Sequence, residues 1–134
     1  MAGGTKRLPR AVREQQMLDA AVEVFSERDF HETSMDVIAQ RAEISKPMLY
    51  LYYGSKDELF AACIQREGQR FAEAFTIVGD PHLAPREQLR KAIEVFLGFV
   101  AENRSSWMVL YRQAVGQQVF MGQVQSTRDR LIEL

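Results

Sequence analysis

The sequence has little cysteine, little histidine and almost no net charge, and each shortage excludes a class of protein. One cysteine, Cys63, cannot form an intramolecular disulfide, and with two histidines beside it no zinc site of usual spacing is present. No apolar run is long enough to cross a bilayer, and the basic N-terminus is not followed by the apolar segment of a signal peptide. We therefore expect a cytoplasmic protein with no membrane attachment, no bound metal and no cofactor.

The balance of 17 basic and 18 acidic residues means that total charge identifies no partner, so a binding surface has to be found locally. Hydrophobic residues make up 46% of the 134 residues, enough to bury a core. Apolar residues recur at helical spacing along most of the chain, which predicts an all-α protein. The predicted helices cover about residues 9–28, 34–41, 45–52, 55–77, 85–103, 106–115 and 118 onward.

Several of these helices carry start signals. Thr33 is predicted as the N-cap of the second helix, with Asp36 three residues later in the manner of a capping box. Ser45 can cap the third helix, where Pro47 is tolerated because it lies in the first turn. The segment from Ser55 to Glu58 is a full capping box. The last helix has no stop signal, so we expect its apolar face to meet further structure.

The second and third helices are short and are separated by three residues, Ala42 to Ile44. This spacing suits a helix-turn-helix, whose second helix can lie in the DNA major groove. That helix carries Lys46, which can donate to guanine or phosphate, and its tyrosine hydroxyls can reach base edges or phosphates. Leu49 is expected to face inward. The alternative is a short core helix whose tyrosines only cover apolar surface.

Basic residues lie ahead of the first acidic residue, Glu14. Lys6, Arg7, Arg10 and Arg13 give residues 1–13 four positive charges and no negative one. Such an arm can bind phosphate or the minor groove although the whole chain is nearly neutral. A solubilising tail is the alternative that charge alone leaves open.

The segments Thr33–Ala42, Ile44–Tyr53 and Ser55–Phe60 together resemble the N-terminal signature of the TetR family of transcription regulators, and the resemblance extends in register from about 11 to 64. It implies a homeodomain-like helix-turn-helix domain over residues 1–54, joined by a long fourth helix to a helical effector and dimerisation domain over 55–134. It also implies that DNA is contacted by Thr33, Ser34, Ser45, Lys46, Pro47, Met48, Tyr50, Tyr52 and Lys56. The basic arm ahead of that region adds Lys6, Arg7 and Arg10 to the expected DNA contacts because of its charge.

Three positions depart from the family pattern. Asp29 stands where the family often has a glycine, Glu43 replaces the usual glycine of the turn, and Tyr53 stands where phenylalanine is usual. If the backbone at Glu43 has a positive φ, a side chain there is strained but not forbidden.

Beyond residue 65 only the general pattern of a helical ligand-binding domain is similar. Large apolar side chains there could line an effector cavity: Phe71, Phe75, Phe96, Trp107, Met108, Tyr111, Phe120 and Met121. An ordinary aromatic core is the simpler interpretation of each one, because apolar stripes at helical spacing usually pack. Cys63 is read as a small buried hydrophobe.

The resemblance implies a transcription regulator, most simply a repressor, that binds a palindromic operator as a homodimer and is released by an unknown small-molecule effector. No nucleophile motif, phosphate-binding glycine run or paired carboxylates are visible, so we do not expect an enzyme. The alternatives are a helical protein-interaction adaptor, or a ligand-binding protein, that has lost DNA binding.

Overall fold

The computed structural model describes residues 8–76 and 80–116, and all regular structure in those two ranges is helical. A short 3-10 turn, Phe30–Glu32, lies between the first two α-helices. The α-helices are α1 (Arg10–Glu27), α2 (Met35–Arg41), α3 (Lys46–Tyr52), α4 (Lys56–Ala74), α5 (Pro85–Glu102) and α6 (104–116). The predicted all-α fold is confirmed.

The first three helices form a unit around one apolar core. The buried face of α1 contacts α2, and α3 closes the core with Leu49, which is completely buried. The buried residues that α1–α3 contribute to this core are Met17, Leu18, Ala21, Val22, Val24, Phe25, Met35, Ile38, Ala39 and Leu49, and Leu59 and Cys63 of α4 and Val109 of α6 join them. Because burying one large apolar side chain stabilises a fold by about 1.5–3 kcal/mol, apolar burial is the main force that holds this unit together.

The start of α2 corrects one sequence prediction. Ser34, and not Thr33, is the N-cap, since its hydroxyl oxygen accepts from the backbone N–H of Val37 at 3.2 Å. Thr33 is buried, and its hydroxyl donates to the carbonyl of Asp29 at 3.1 Å. The helix therefore begins at Met35. Two adjacent hydroxyl residues could serve equally as a cap, and the packing of Thr33 against the core decided between them.

The start of α4 keeps half of the predicted capping box. The Ser55 hydroxyl accepts from the N–H of Glu58 at 3.1 Å, as expected. The Glu58 carboxylate does not return to Ser55; it accepts from the N–H of Gly54 at 2.9 Å. A Cβ atom at Gly54 would lie 3.1 Å from that carboxylate, so the glycine leaves room for the bond.

Two helix ends differ from prediction. α4 ends at Ala74, not near residue 77, and α6 begins at 104, two residues early. Asn103 explains the second difference because its N–H and side-chain amide both donate to Phe99 O, while its carbonyl accepts from Trp107 N–H. One residue thus ends α5 and starts α6. The predicted helix from 118 lies outside the described residues.

A buried carboxylate joins α4 to its neighbours, and we call this group the Glu67 network. Glu67 has no exposed surface and accepts from Arg66 at 2.5 Å, from Arg70 at 3.1 Å and from the Ser106 hydroxyl of α6. Arg66 also pairs with Asp19 of α1 at 2.7 Å. Burial alone would lower the pKa of Arg66, but its bonds to Glu67 and Asp19 raise it. The negative charge of Glu67 is therefore balanced by the guanidinium groups of Arg66 and Arg70, and the Ser106 hydroxyl adds a hydrogen bond.

Arg112 of α6 makes a second connection to the first helix. One terminal nitrogen of its guanidinium donates to the carbonyls of Phe25 and Arg28, at 3.4 and 3.2 Å. These carbonyls lie at the end of α1, where helical partners are lacking. α4 packs on both α1 and α5. The predicted domain boundary between residues 54 and 55 remains a prediction. No helix in 8–76 or 80–116 could cross a membrane.

Candidate nucleic-acid interface

The outward face of α3 presents a mixture of polar and apolar side chains. Ser45 caps the helix by accepting from Met48 N–H at 3.2 Å, and Pro47 lies in the first turn, as predicted. Leu49 points into the core, whereas Tyr50 is 42% exposed and Leu51 is 78% exposed. The helix is therefore anchored by Leu49, with Met48 and Tyr52 packed partly against the core, and it leaves the face opposite Leu49 open.

The turn before α3 is held by a Schellman motif. Glu43 N–H donates to Gln40 O at 3.1 Å, and Ile44 N–H donates to Ala39 O at 3.0 Å. Glu43 has a φ of 60°, in the left-handed region that favours glycine. The strain expected from this departure is present, and the turn nevertheless has its normal hydrogen bonds. Asp29 has an extended backbone with a φ of −64°, so it needs no glycine.

Lys46, the first residue of α3, is paired with α2. Its ammonium lies 3.1 Å from one carboxylate oxygen of Asp36 and 3.3 Å from the other. Both side chains remain exposed to solvent. The predicted base-reading lysine therefore has a carboxylate beside it.

The residues predicted to bind the DNA backbone differ from one another in their surroundings. The Arg10 guanidinium lies 4.5 Å from the centre of the Tyr52 ring and also pairs with Glu14 at 3.1 Å. Arg13 reaches the Met48 sulfur at 3.3 Å. The structure therefore brings the first turn of α1 against α3. Lys6 and Arg7 lie outside the described residues.

Lys56 is turned toward the protein. Its ammonium donates to Phe30 O at 2.7 Å and Thr33 O at 2.9 Å, and it lies 4.3 Å from the centre of the Phe30 ring. An ammonium has three donors, so two of them are used within the chain. Lys56 holds the segment that leads into α2, and its predicted contact with DNA remains a prediction.

Sequence analysis missed three exposed residues of this surface: Asp36, Val37 and Leu51. Val37 is 45% exposed on α2, whereas Ile38 next to it is completely buried. The helical period contained a signal for Leu51, because residues 47, 50 and 51 share a face opposite Leu49. An exposed leucine and an exposed valine offer apolar contact of the kind that a thymine methyl group accepts.

The candidate effector residues cluster, although with uneven burial. Phe71 is 5.1 Å from Phe99 and 6.0 Å from Trp107 between ring centres, and Trp107 is 5.1 Å from Phe96. Phe75 joins the cluster beside Phe71. Tyr111 lies next to Trp107 and is 52% exposed, and Met108 is 39% exposed. Phe120 and Met121 lie outside the described residues. A role of this cluster in ligand binding remains a prediction.

A separate cavity that the sequence did not indicate lies between the end of α1, the start of α4 and α6. Its volume is about 550 Å³. Its apolar lining includes Phe25, Phe30 and Phe60, whose rings are in mutual contact. Cys63 is completely buried nearby in the α1–α4 core, and burial raises the pKa of its thiol to about 12. This agrees with its interpretation as a small hydrophobe.

Comparison with known proteins identifies the family. The model for "Bacterial regulatory proteins, tetR family" matches residues 17–63, and the model for "Tetracyclin repressor-like, C-terminal domain" matches residues 85–134. The crystal structure of a TetR-like transcriptional regulator from Rhodococcus sp. RHA1 is 79% identical, with a TM-score of 0.80, covering 96% of this chain and 69% of that one. The chain belongs to the TetR family.

Other TetR-family relatives are more distant. The HTH-type transcriptional activator FasR of Mycolicibacterium smegmatis is 37% identical over 113 residues, covering 82% of this chain and 52% of FasR. The chain spans about half the length of the curated relatives it matches first. The structure of the fatty acid degradation regulator FadR from Bacillus halodurans, at 22% identity and a TM-score of 0.67, shares the fold. The family is one of transcription regulators, which agrees with the prediction that the chain is not an enzyme.

Proposed function

We propose that this TetR-family protein binds operator DNA by inserting α3 into the major groove. The supporting observation is the orientation of α3. Leu49 is completely buried while Lys46, Tyr50 and Leu51 are exposed on the outside, so the helix can offer polar and apolar contacts together. Direct reading of bases requires both kinds of contact, and the groove is wide enough to accept a helix.

The test begins with selection of bound duplexes from a random pool, which supplies an operator. We expect Tyr50→Ala and Lys46→Ala each to weaken binding to that operator by about 1–3 kcal/mol, the value of a good base contact. Matched controls exist on the other part of the molecule: Tyr111→Ala removes a tyrosine that is 52% exposed, and Lys91→Ala an exposed lysine. Operator affinity that is unchanged in both α3 variants would refute the proposal.

The N-terminal arm is proposed to contact phosphates. Replacing Lys6, Arg7 and Arg10 together with alanine should weaken binding to every DNA sequence and flatten the slope of log affinity against log salt by roughly 0.9 per lost contact. Replacing Arg86, Arg90 and Lys91 of α5 removes the same charge far along the chain and is the control. An unchanged slope in the first variant would leave the arm as a solubilising tail.

We also propose how the protein assembles on DNA and how a ligand regulates that binding. We infer a homodimer on a palindromic operator, released when a small-molecule effector binds one arrangement of the helices better than another. Trp107, the one tryptophan of the sequence, lies within the aromatic cluster, so its fluorescence can report ligand binding there. Fatty acyl compounds are the first probes to try, because a curated relative is a "Fatty acid metabolism regulator protein" of Bacillus subtilis.

The direction of regulation has two candidates. Resemblance to the family favours repression, whereas FasR, the relative at 37% identity, is named an activator. Transcription in vitro from a promoter that carries the selected operator distinguishes them. A repressor lowers the transcript level when the protein is added, and an activator raises it.

A further inference from the structure

A carboxylate stands on the surface that would face DNA. Asp36 lies in the first turn of α2 and is 69% exposed, and it holds the Lys46 ammonium at 3.1 Å. DNA presents a high density of phosphate charge, so an exposed acidic group at this place opposes binding to any sequence. Its presence therefore needs an explanation beyond attraction to DNA.

The ion pair contributes little to the fold. Exposed pairs of this kind typically stabilise a protein by about 0–1 kcal/mol, and the α2–α3 turn already has its own backbone hydrogen bonds. A carboxylate in the first turn of a helix is also favoured by the helix dipole, which is the simplest structural role for Asp36. That role does not require Lys46 to be its partner. Any role that Asp36 has through Lys46 can therefore be distinguished from it by changing Lys46.

The chemistry of the pair suggests discrimination between DNA sequences. A lysine ammonium is a compact charge that binds any phosphate equally well. While Asp36 holds it, Lys46 gains little by moving to a phosphate and would leave the carboxylate unpaired. A G·C base pair is different, because its major-groove edge offers acceptors on guanine for the ammonium and an amino donor on cytosine for the carboxylate.

We propose that Asp36 is a specificity-determining residue that restrains Lys46 from non-specific phosphate contacts and directs the pair to a G·C base pair. This inference rests on the proposed entry of α3 into the major groove. Its distinctive consequence is that removing the carboxylate strengthens binding to random DNA and weakens discrimination. A residue with only a structural role would not have that effect.

The experiment measures affinity of the intact protein for the selected operator and for a shuffled duplex of equal length between 50 and 200 mM salt. The variants are Asp36→Asn, Lys46→Gln and the double variant. Glu87→Gln is the matched control, because Glu87 is an exposed acid in the first turn of α5. Denaturation midpoints establish that each variant is folded, and Asp36→Ser, which keeps a residue suited to a helix start, replaces Asp36→Asn if that variant unfolds.

We expect Asp36→Asn to steepen the salt slope on the shuffled duplex by about 0.9, the value for one added phosphate contact, or a factor of about three over this salt range. The ratio of operator to shuffled affinity should fall at least threefold. In the Lys46→Gln background, Asp36→Asn should not change the slope. A repeated selection with Asp36→Asn should lose the preference for G·C at one position of each half-site.

Other outcomes overturn the inference. An unchanged slope in Asp36→Asn means that the pair does not restrain Lys46, and an equal steepening in both backgrounds means general repulsion by the acid. A change as large in Glu87→Gln means that net charge alone is responsible. If instead the wild-type protein selects no duplex, or Lys46→Gln and Tyr50→Ala both keep full operator affinity, the proposed function itself fails.

Discussion

The α1–α3 unit and the joint between that unit and α5–α6 are held together by different forces. The first closes around fully buried apolar side chains such as Met17, Ile38 and Leu49. The second combines one buried apolar residue of α6, Val109, with the polar contacts of the Glu67 network and Arg112, while α5 leaves Leu89, Ile93 and Leu97 at least half exposed. A dense apolar core has one good arrangement, whereas hydrogen bonds and ion pairs can be exchanged for others. The comparison indicates a rigid N-terminal unit and an adjustable connection.

The sharpest test of this contrast replaces one leucine in each region. Leu49→Ala should lower the free energy of unfolding by about 3 kcal/mol, because it removes buried apolar contacts and leaves a cavity. Leu97→Ala, at a residue that is 60% exposed, should change it by about 0.5 kcal/mol or less. Urea denaturation measures both. Similar losses in the two variants would show that α5 is covered in solution.

The joint is tested by Glu67→Ala. This change leaves Arg70 and Ser106 without their buried partner and should destabilise the protein by about 2 kcal/mol, as expected for hydrogen bonds to a charged group. Arg66 keeps Asp19, which limits the loss. Glu73→Ala, an exposed acid on the same helix, is the control for denaturation. A Glu67→Ala variant as stable as the wild type would mean that the network does not hold the joint.

Within the N-terminal unit, the turn has a strain that can be relieved. Glu43→Gly should stabilise the protein by up to about 1 kcal/mol, because glycine has no steric penalty at a φ of 60°. Glu43→Ala removes the carboxylate but keeps a Cβ atom, so it should not raise the free energy of unfolding by a comparable amount. This control separates the effect of backbone strain from the effect of charge. A lower denaturation midpoint for Glu43→Gly would show that the turn does not have this geometry in solution.

The smallest effect is expected from the surface of the same unit. The Arg41 guanidinium donates to Glu27, at 2.8 Å, and lowers the pKa of that carboxyl below its ordinary value of 4.5. The pair therefore stabilises the fold above about pH 4.5, and the contribution disappears as pH falls through the lowered pKa. Glu27→Gln should have a slightly lower midpoint than the wild type at pH 7, and this difference should shrink as the pH is lowered below 4.5 and the Glu27 carboxylate of the wild type is protonated. A difference that does not shrink with falling pH would require another cause.

Local patterns predicted most of the elements. The periodicity of α1 and α5, the caps at Ser45 and Ser55, and Pro85 at a helix start all depend on residues within one or two turns of each other. The inward direction of Leu49 followed from the same helical period. The choice of Ser34 over Thr33 did not, because either hydroxyl has the right local chemistry and only packing separates them.

The residues of the candidate DNA-binding surface were predicted from the sequence, but the contacts between their side chains were not. Sequence analysis placed Lys46, Tyr50 and Tyr52 on α3, and the structure adds Asp36 beside Lys46 and Arg10 over Tyr52. It also turns Lys56 toward carbonyls more than twenty residues earlier in the chain. A charged side chain on a long flexible stem can reach several partners, so its position in a helix does not tell which one it meets.

The sequence by itself determined the helices, the helix-turn-helix spacing and the family, because these depend on short-range periodicity, capping chemistry and motif residues. Tertiary structure alone decided that the Glu67 carboxylate is buried with its charge balanced by arginine side chains, that Arg112 contacts the end of α1, and that Asp36 pairs with Lys46. The partners of Glu67 and Arg112 include residues 39 and 84 positions away. The approach of such groups depends on how whole helices pack, and local periodicity contains no information about that distance.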